Sequence, residues 1–192
     1  MKKCVFILPY FGKFNDYFNL FLKSCEKNAK YNWLIFTDDI KKYNYPSNVS
    51  VIYTTFDEIK ECFKNKIGFE ISLPSPYKLC DFKPTYGLVF EEYIQEYEYW
   101  GHCDCDVIFG NLDKILSPLL NEGFDKLFAA GHLTIYKNTL ENNRRFLQDY
   151  HGKNLAKSFW RFLKYVGLMK IGRRTTFIQC FWKVVQKYIQ RY

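Results

Sequence analysis

Three short runs of β-branched and aromatic residues, the first and third followed by predicted helices, constrain the fold of this chain more than any other feature. The runs are Lys3–Leu8 ("KCVFIL"), Trp33–Thr37 ("WLIFT") and Asn48–Thr54. Apolar residues between the first two runs recur near helical spacing, at Phe14, Phe18, Leu22 and Cys25. A second helix is predicted at Phe56–Lys66. Strands that alternate with helices predict an α/β fold with a mostly parallel sheet.

The carboxyl ends of the predicted strands indicate where a ligand site would lie. In open α/β sheets, ligands bind in the crevice outside these ends. We therefore expect functional side chains in three segments, Pro9–Gly12, Asp38-Asp39 and Asp104–Gly110.

The last of these segments belongs to the stretch "WGHCDCDVIFG", which places two carboxylates two positions apart. In a strand, side chains alternate between faces, so His102, Asp104 and Asp106 would share one face. The intervening Cys103 and Cys105 would face the core. Two like charges this close raise each other's pKa, and a bound divalent cation would relieve the repulsion. The alternative is a strand end whose acids face water, because a D-x-D pair alone is a weak signal.

The remainder of residues 1–150 is predicted to contain three more helices and one more strand. The helices are Pro84–Tyr97, Asn111–Leu120 and Asn138–Tyr150, and the strand is Lys126–Tyr136, which carries Gly131 and His132. Lys78 and Asp81 are three positions apart, so they can share one face of a helix.

Charge divides the chain near His151-Gly152. All 20 acidic residues lie in residues 1–150, whereas residues 151–192 carry 10 of the 28 basic residues. We therefore predict a body at 1–150 and a basic tail at 151–192. Apolar residues at helical spacing predict two amphipathic helices in the tail. Such helices suit an anionic membrane surface, which residues 153–192 would contact, although packing of the apolar stripe on the body is the commoner use.

Cysteine usage and hydropathy favour the cytoplasm. The seven cysteines are an odd number without C-x-x-C spacing, so neither a zinc site nor a disulfide framework is expected. A reducing compartment fits this pattern. The apolar run at the N-terminus is short and contains Pro9, so we interpret it as a first strand rather than a signal peptide. No apolar run approaches the roughly 18 residues of a membrane span.

Aspartates spaced D-x-D after a strand occur in two enzyme settings. In metal-dependent glycosyl transfer, the carboxylates hold a divalent cation that neutralises a nucleoside diphosphate as the sugar departs. In phosphotransfer enzymes of the haloacid dehalogenase type, the first Asp is the nucleophile and the second an acid or base. That second plan needs further metal-binding acids late in the domain, and the acids after Asp106 are never adjacent. The phosphatase interpretation is therefore much less favoured.

Five blocks, in the same order, resemble a known family. They are "FILPYFG", "IFTDD", "PYKLCDFKPTYG", "YWGHCDCDVIFGNL" and "AAGHLTIYKN", within about residues 2–150. Together they resemble a bacterial family of glycosyltransferase-like proteins from capsule and lipopolysaccharide gene clusters, within the A-type nucleotide-sugar transferase superfamily. The resemblance implies a Rossmann-like fold, a nucleotide-sugar donor with UDP favoured, Mn²⁺ or Mg²⁺, and a polysaccharide or lipid-linked acceptor.

The resemblance implies that residues at the ends of the first two strands face the nucleobase and ribose, namely Pro9, Tyr10, Phe11, Thr37 and Asp38. A carboxylate can accept hydrogen bonds from ribose hydroxyls. Without the resemblance, Asp38 is equally well interpreted as a helix N-cap.

By the same resemblance, Lys78 and Asp81 would lie beside the nucleotide or sugar. A lysine near a diphosphate acts as a compact positive charge. The alternative is a surface ion pair that contributes little to stability.

Asp104 and Asp106 would be the metal-binding pair and, with His132, the catalytic group. Gly131 and His132 would line the sugar or acceptor side. A histidine in a strand is more often structural, so a structural His132 remains the alternative. His102 would be only a neighbour of the metal ligands.

These observations predict a cytoplasmic, metal-dependent glycosyltransferase, placed at the inner membrane face, that transfers a sugar to a surface glycan. The family often supplies a third metal ligand beyond the matched blocks, and no equivalent is recognisable here. A truncated protein of the same fold that binds a nucleotide or membrane without turnover is therefore the second hypothesis. The third is a nucleic-acid binder that uses the tail, which is disfavoured because no binding motif is present.

Overall fold

A six-stranded sheet forms the centre of the computed structural model, which describes residues 2–150, 153–154 and 156–157. The strand order is β3-β2-β1-β4-β6-β5, and a separate two-stranded sheet pairs β7 with β8. The strands are β1 Lys2–Pro9, β2 Tyr31–Thr37, β3 Val49–Tyr53, β4 Tyr97–Cys103, β5 Lys126–Ala130, β6 Leu133–Lys137, β7 Asp149–Tyr150 and β8 Lys153–Asn154.

Helices connect the strands and cover the sheet. They are α1 Phe18–Glu26, α2 Phe56–Ile67, α3 Tyr86–Val89, α4 Glu91–Ile94, α5 Leu112–Asn121 and α6 Leu140–Arg144, with 3-10 segments at Pro76–Thr85 and Arg145–Leu147. The start and end of α2 are encoded locally. Thr55 and Glu58 form a reciprocal capping box at its start, and Gly68 ends it with a positive φ of 78°.

The strand order reverses beside β1. Strands β1, β2 and β3 pair in parallel on one side, and the chain then crosses back to place β4 parallel to β1 on the other side. Strand β6 runs antiparallel to β4, with Leu133 opposite Cys103. The turn between β5 and β6 therefore lies at the same edge as the carboxyl ends of β1 and β4.

Both faces of the central strands β1, β2 and β4 are buried, as expected for parallel strands with helices on either side. Side chains of β1 alternate between two core clusters, with Phe6 in one and Ile7 in the other. The first cluster includes residues of α1 and α5, and the second includes residues of α2, the 3-10 segment and α3. The predicted α/β fold with a mostly parallel sheet is thus confirmed.

Three predicted elements are wrong in the second half of the chain. The helix predicted at Pro84–Tyr97 is divided into the end of a 3-10 segment, α3 and α4, because Phe90 leaves the helical region at φ −105° and ψ 24°. The strand predicted at Lys126–Tyr136 is a hairpin that turns at Gly131 and His132. The helix predicted at Asn138–Tyr150 ends much earlier, at Arg144.

The predicted tail lies almost entirely outside the described residues, as do both of its predicted helices. Ala156, one of its few described residues, is 2% exposed and belongs to the same core cluster as Trp100. The division into a body and a tail stays a prediction.

Candidate functional site

A cavity of about 750 Å³ lies at the carboxyl edge of the sheet, where the strand order reverses between β1 and β4. Four parts of the chain line it: the loop after β1, the 3-10 segment, the end of β4 and the β5–β6 turn. This volume is in the range of small-molecule sites, and the position is where parallel sheets bind ligands.

Most of the site residues predicted from sequence line this cavity. Those that do are Pro9, Tyr10, Phe11, Asp81, Asp104, Asp106, Gly131 and His132. Thr37, Asp38 and Lys78 do not line it. The roles predicted for Thr37, Asp38 and Lys78 assume direct contact with a ligand, so these three residues need another explanation.

The end of β2 holds the loop after β1 in place. Asp38 Oδ1 accepts a hydrogen bond of 2.7 Å from the backbone N–H of Gly12, whose φ of 96° requires a glycine. Thr37 is buried, and its Oγ1 accepts from the backbone N–H of Asp39 at 3.1 Å. The N-cap interpretation of Asp38 is wrong, since Thr55 caps the following helix. Asp38 instead positions the loop that carries Tyr10 and Phe11.

Lys83 joins three parts of the cavity wall. Its Nζ lies 2.5 Å from Oδ1 of Asp104 and donates a second hydrogen bond of 2.8 Å to the carbonyl oxygen of Gly131. The Lys83 side chain is 13% exposed and that of Asp104 is 39% exposed. The backbone N–H of Asp104 also donates to the carbonyl oxygen of His132 at 3.2 Å. The 3-10 segment, the end of β4 and the hairpin turn are therefore tied together.

Asp106 is the more accessible carboxylate of the pair. It is exposed, and its carboxylate makes no hydrogen bond or ion pair with another described residue. Its negative charge affects two neighbours. Burial, and to a smaller extent the charge of Asp106, raises the pKa of Cys105 to about 12. Burial also raises the pKa of Tyr10, with smaller contributions from several nearby charges that include Asp106. The Cys105 thiol and the Tyr10 hydroxyl therefore stay protonated near pH 7.

Strand β4 ends before the two aspartates that were predicted to share one of its faces with His102. Strand β4 stops at Cys103, so Asp104 and Asp106 lie in the turn that follows and not on one strand face. The prediction for the cysteines is confirmed, because Cys103 and Cys105 are buried in the first core cluster.

The donor chemistry of the site suits a hard divalent cation only in part. Among the described residues, no group of three or more His, Cys, Asp and Glu side chains could hold a metal. Carboxylate oxygens are nevertheless the preferred ligands of Mg²⁺, which is commonly bound by one or two carboxylates plus phosphate and water. Asp104 and Asp106 fit that pattern, with one oxygen of Asp104 already occupied by Lys83.

Lys78 and Asp81 share a face of the 3-10 segment, as predicted. Lys78 Nζ lies 3.2 Å from Asp81 Oδ2, with side chains 34% and 10% exposed, respectively. Only Asp81 lines the cavity. Lys78 therefore contacts the site through Asp81 and is not itself part of the wall.

Asn15 Oδ1 is a buried atom of the cavity wall with no hydrogen-bond partner among the described residues, and His102 is a second residue of that wall whose hydrogen bonding is incomplete. His102 is 2% exposed and lines the cavity, and neither Nδ1 nor Nε2 has a partner among the described residues. Leaving a buried polar group unpaired costs about 1–3 kcal/mol. Burial, with the positive charges of Lys83 and Lys126, lowers the pKa of His102 well below its usual value, so the imidazole is neutral near pH 7.

Sequence reasoning did not assign Lys83 or His102 to the site. Lys83 lies within the block "PYKLCDFKPTYG", but its partner Asp104 is 21 positions away and cannot be read from local spacing. His102 was grouped with the aspartates on a strand face, and its burial depends on packing across the sheet. Gly131 and His132 lie exposed in the hairpin turn rather than in a strand, and the role of His132 stays a prediction.

A family model places the chain among known proteins. In the described ranges, no helix is long and apolar enough to cross a membrane. No curated protein matches the sequence. A family of unknown function, DUF6625, matches residues 6–167, a range that includes all the cavity-lining residues. The chain therefore belongs to the DUF6625 family.

Proposed function

We propose that this protein is a metal-dependent glycosyltransferase with a Rossmann-like A-type fold, which moves a sugar from a nucleoside diphosphate donor to a surface polysaccharide or lipid-linked acceptor. One observation carries the proposal: Asp104 and Asp106 follow β4 directly and lie in one cavity with Lys83, at the edge where the strand order reverses. The resemblance of the five sequence blocks to capsule and lipopolysaccharide glycosyltransferases supports the same conclusion.

The lining of the cavity suits a nucleotide sugar. Tyr10 and Phe11 offer aromatic surface for a base at one end, and Lys83 supplies a positive charge for phosphate. Asp81, held by Lys78, is a hydrogen-bond acceptor for hydroxyl groups. A ligand with a planar base, charged phosphates and hydroxyls would use each of these groups.

The two aspartates would hold Mn²⁺ or Mg²⁺, which would neutralise the charge that develops on the diphosphate as its bond to the sugar breaks. The protein's own residues would place these two carboxylates for the cation. Lys83 holds Asp104 against the hairpin turn, so the carboxylate keeps its orientation. Asp106, which has no competing partner in the described ranges, is available for the cation.

A second candidate function is nucleotide binding without sugar transfer. The contact between Lys83 and Asp104 favours it, because an ammonium already balances one of the two charges that a metal would balance. Under either candidate, the location stays our proposal of a cytoplasmic protein that reaches the inner membrane face through residues 153–192. Binding of nucleic acid remains disfavoured.

Thermal melting with added ligands tests the proposal. UDP, GDP and CDP are added with and without Mn²⁺, because only ligands that bind the folded state raise the melting temperature. We expect a metal-dependent rise with one nucleotide, UDP being favoured, that is lost in Asp106→Asn. Asp57→Asn, an exposed acid of α2 outside the cavity, is the matched control and should retain the rise.

Release of UDP from UDP-sugars then separates the two candidates. Turnover that requires Mn²⁺ and Asp106 supports the transferase, whereas tight binding without turnover supports the second candidate. No thermal shift with any nucleotide would reject both.

A further inference from the structure

His102 lies inside the cavity wall at the end of β4, two positions before Asp104. The backbone of His102 is paired with a neighbouring strand on each side, opposite Ile7 of β1 and Thr134 of β6. The residue is therefore fixed by the centre of the sheet, and its 2% exposure places it behind the more exposed Asp104 and Asp106.

Two polar neighbours of the imidazole, Tyr86 and Lys83, make their hydrogen bonds elsewhere. The Tyr86 ring lies 6.5 Å from the His102 ring, but its hydroxyl donates to the carbonyl oxygen of Leu79 at 2.9 Å. The Tyr136 ring lies 6.4 Å away, and its buried hydroxyl, like the imidazole, has no hydrogen-bond partner among the described residues. The ammonium of Lys83 bonds to Asp104 and Gly131. The described residues thus surround His102 mainly with aromatic rings and leave both ring nitrogens unpaired.

A buried polar side chain in a native protein normally has a partner, so an unpaired one in a cavity wall is available to hydrogen-bond a ligand that enters the cavity. An imidazole nitrogen can donate a hydrogen bond through its N–H or, without the proton, accept one. A hydroxyl group offers the matching acceptor and donor. Phosphate oxygens are only acceptors, and Lys83 at the more exposed wall suits them better.

We propose that His102 forms a sugar subsite of the cavity, in which a ring nitrogen hydrogen-bonds a hydroxyl of the donor's sugar while the phosphates lie toward Lys83. This inference rests on the proposed function, and it assigns to His102 the recognition of the sugar rather than of the nucleotide.

Calorimetric titration of His102→Leu tests this assignment. UDP, UDP-glucose, UDP-galactose and UDP-N-acetylglucosamine are titrated with Mn²⁺ into the full chain. We expect the variant to bind UDP as the wild type does and to bind the preferred UDP-sugar about tenfold more weakly, which corresponds to one lost hydrogen bond. His102→Gln, which keeps a donor and an acceptor, should recover part of the loss.

Thr134→Val is the matched control. Thr134 is buried directly opposite His102 on β6, it does not line the cavity, and its hydroxyl bonds within the hairpin to the carbonyl oxygen of Ala130. This variant makes a similar polar-to-apolar change on the same sheet face, so its affinity for the UDP-sugar should equal that of the wild type.

A nuclear magnetic resonance measurement on the wild type avoids dependence on the folding of the variants. The sequence has three histidines, so ring-nitrogen signals of ¹⁵N-histidine-labelled protein can be resolved. The His102 ring signals should shift when UDP-sugar is added and stay unchanged with UDP.

The outcomes separate this inference from the proposed function. UDP-sugar binding that neither shifts the His102 signals nor weakens in His102→Leu would overturn the sugar subsite and leave the proposed function standing. Failure of UDP and of every UDP-sugar to bind the wild type would reject both for uridine donors.

Discussion

The ammonium of Lys83 contacts the same Asp104 carboxylate that we propose as a metal ligand, at a distance of 2.5 Å. Lys83 comes from the 3-10 segment and Asp104 from the turn after β4, so this contact joins two walls of the cavity. A divalent cation on Asp104 would lie close to the ammonium, and like charges at such distances repel strongly in a partly buried site. Lys83 and the metal therefore compete for Asp104.

Removal of the Lys83 charge should strengthen metal binding in the absence of nucleotide. We expect Lys83→Met to bind Mn²⁺ about tenfold more tightly than the wild type, because the repulsion is lost and both oxygens of Asp104 become available. Electron paramagnetic resonance of free Mn²⁺ measures this affinity directly. Lys78→Met is the control, since Lys78 pairs with Asp81 and not with Asp104. Unchanged or weaker Mn²⁺ binding in Lys83→Met would show that the two cations do not compete.

The first half of the fold could be predicted from the sequence because its signals are local. Strand β1 is a continuous apolar run that ends at Pro9, and α2 lies between a capping box at Thr55 and a glycine at Gly68. The hairpin β5–β6 has no such signal beyond Gly131. Phe128 adopts a positive φ of 63° within β5, where a register shift follows, and its sequence gives no sign of this.

The candidate site could be predicted in part for a similar reason. Tyr10 and Asp104 were found because they follow strand ends, and strand ends can be recognised from sequence. Lys83 and His102 depend on contacts between distant segments, which no local pattern encodes. Asp38 follows a strand end as well, but its partner is the backbone of Gly12, so position alone did not reveal its role.

Replacement of Asp38 tests its role in positioning the loop after β1. Asp38→Ala removes the acceptor for the Gly12 N–H and should lower the free energy of unfolding by about 1 kcal/mol, as expected for one hydrogen bond. Asp38→Asn keeps an oxygen acceptor and should lie near the wild type. Urea denaturation measures both. Equal stability of Asp38→Ala and the wild type would mean that this bond does not hold the loop.

Gly101 should be essential for the pairing of β4 with β6. A Cβ at this position would lie 2.6 Å from the backbone oxygen of Thr134, so the strands must separate. We expect Gly101→Ala to lower the free energy of unfolding by about 1–3 kcal/mol in urea denaturation. Gly110→Ala is the control, because a Cβ there meets nothing within 4 Å. If both variants lose the same stability, close packing at Gly101 is not the cause.

Lys126 should make stability depend on pH above neutrality. Burial lowers the pKa of its ammonium to about 7, whereas a lysine in the unfolded chain titrates near 10.5. Below pH 7 the side chain is charged in both states, and the folded state carries the full cost of the buried charge. Between pH 7 and 10.5 the folded state releases the proton first, so this cost falls as the pH rises.

Substitution of Lys126 by Met removes the charge at every pH and should therefore stabilise the protein most at low pH. We expect the stability gain of Lys126→Met over the wild type to be larger at pH 6 than at pH 9, by up to about 3 kcal/mol. Urea denaturation at the two pH values gives the difference. Lys114→Met, at an exposed position of α5, is the matched control for loss of a lysine. A gain from Lys126→Met that is equal at both pH values, or that grows toward pH 9, would show that the buried ammonium does not titrate in this range.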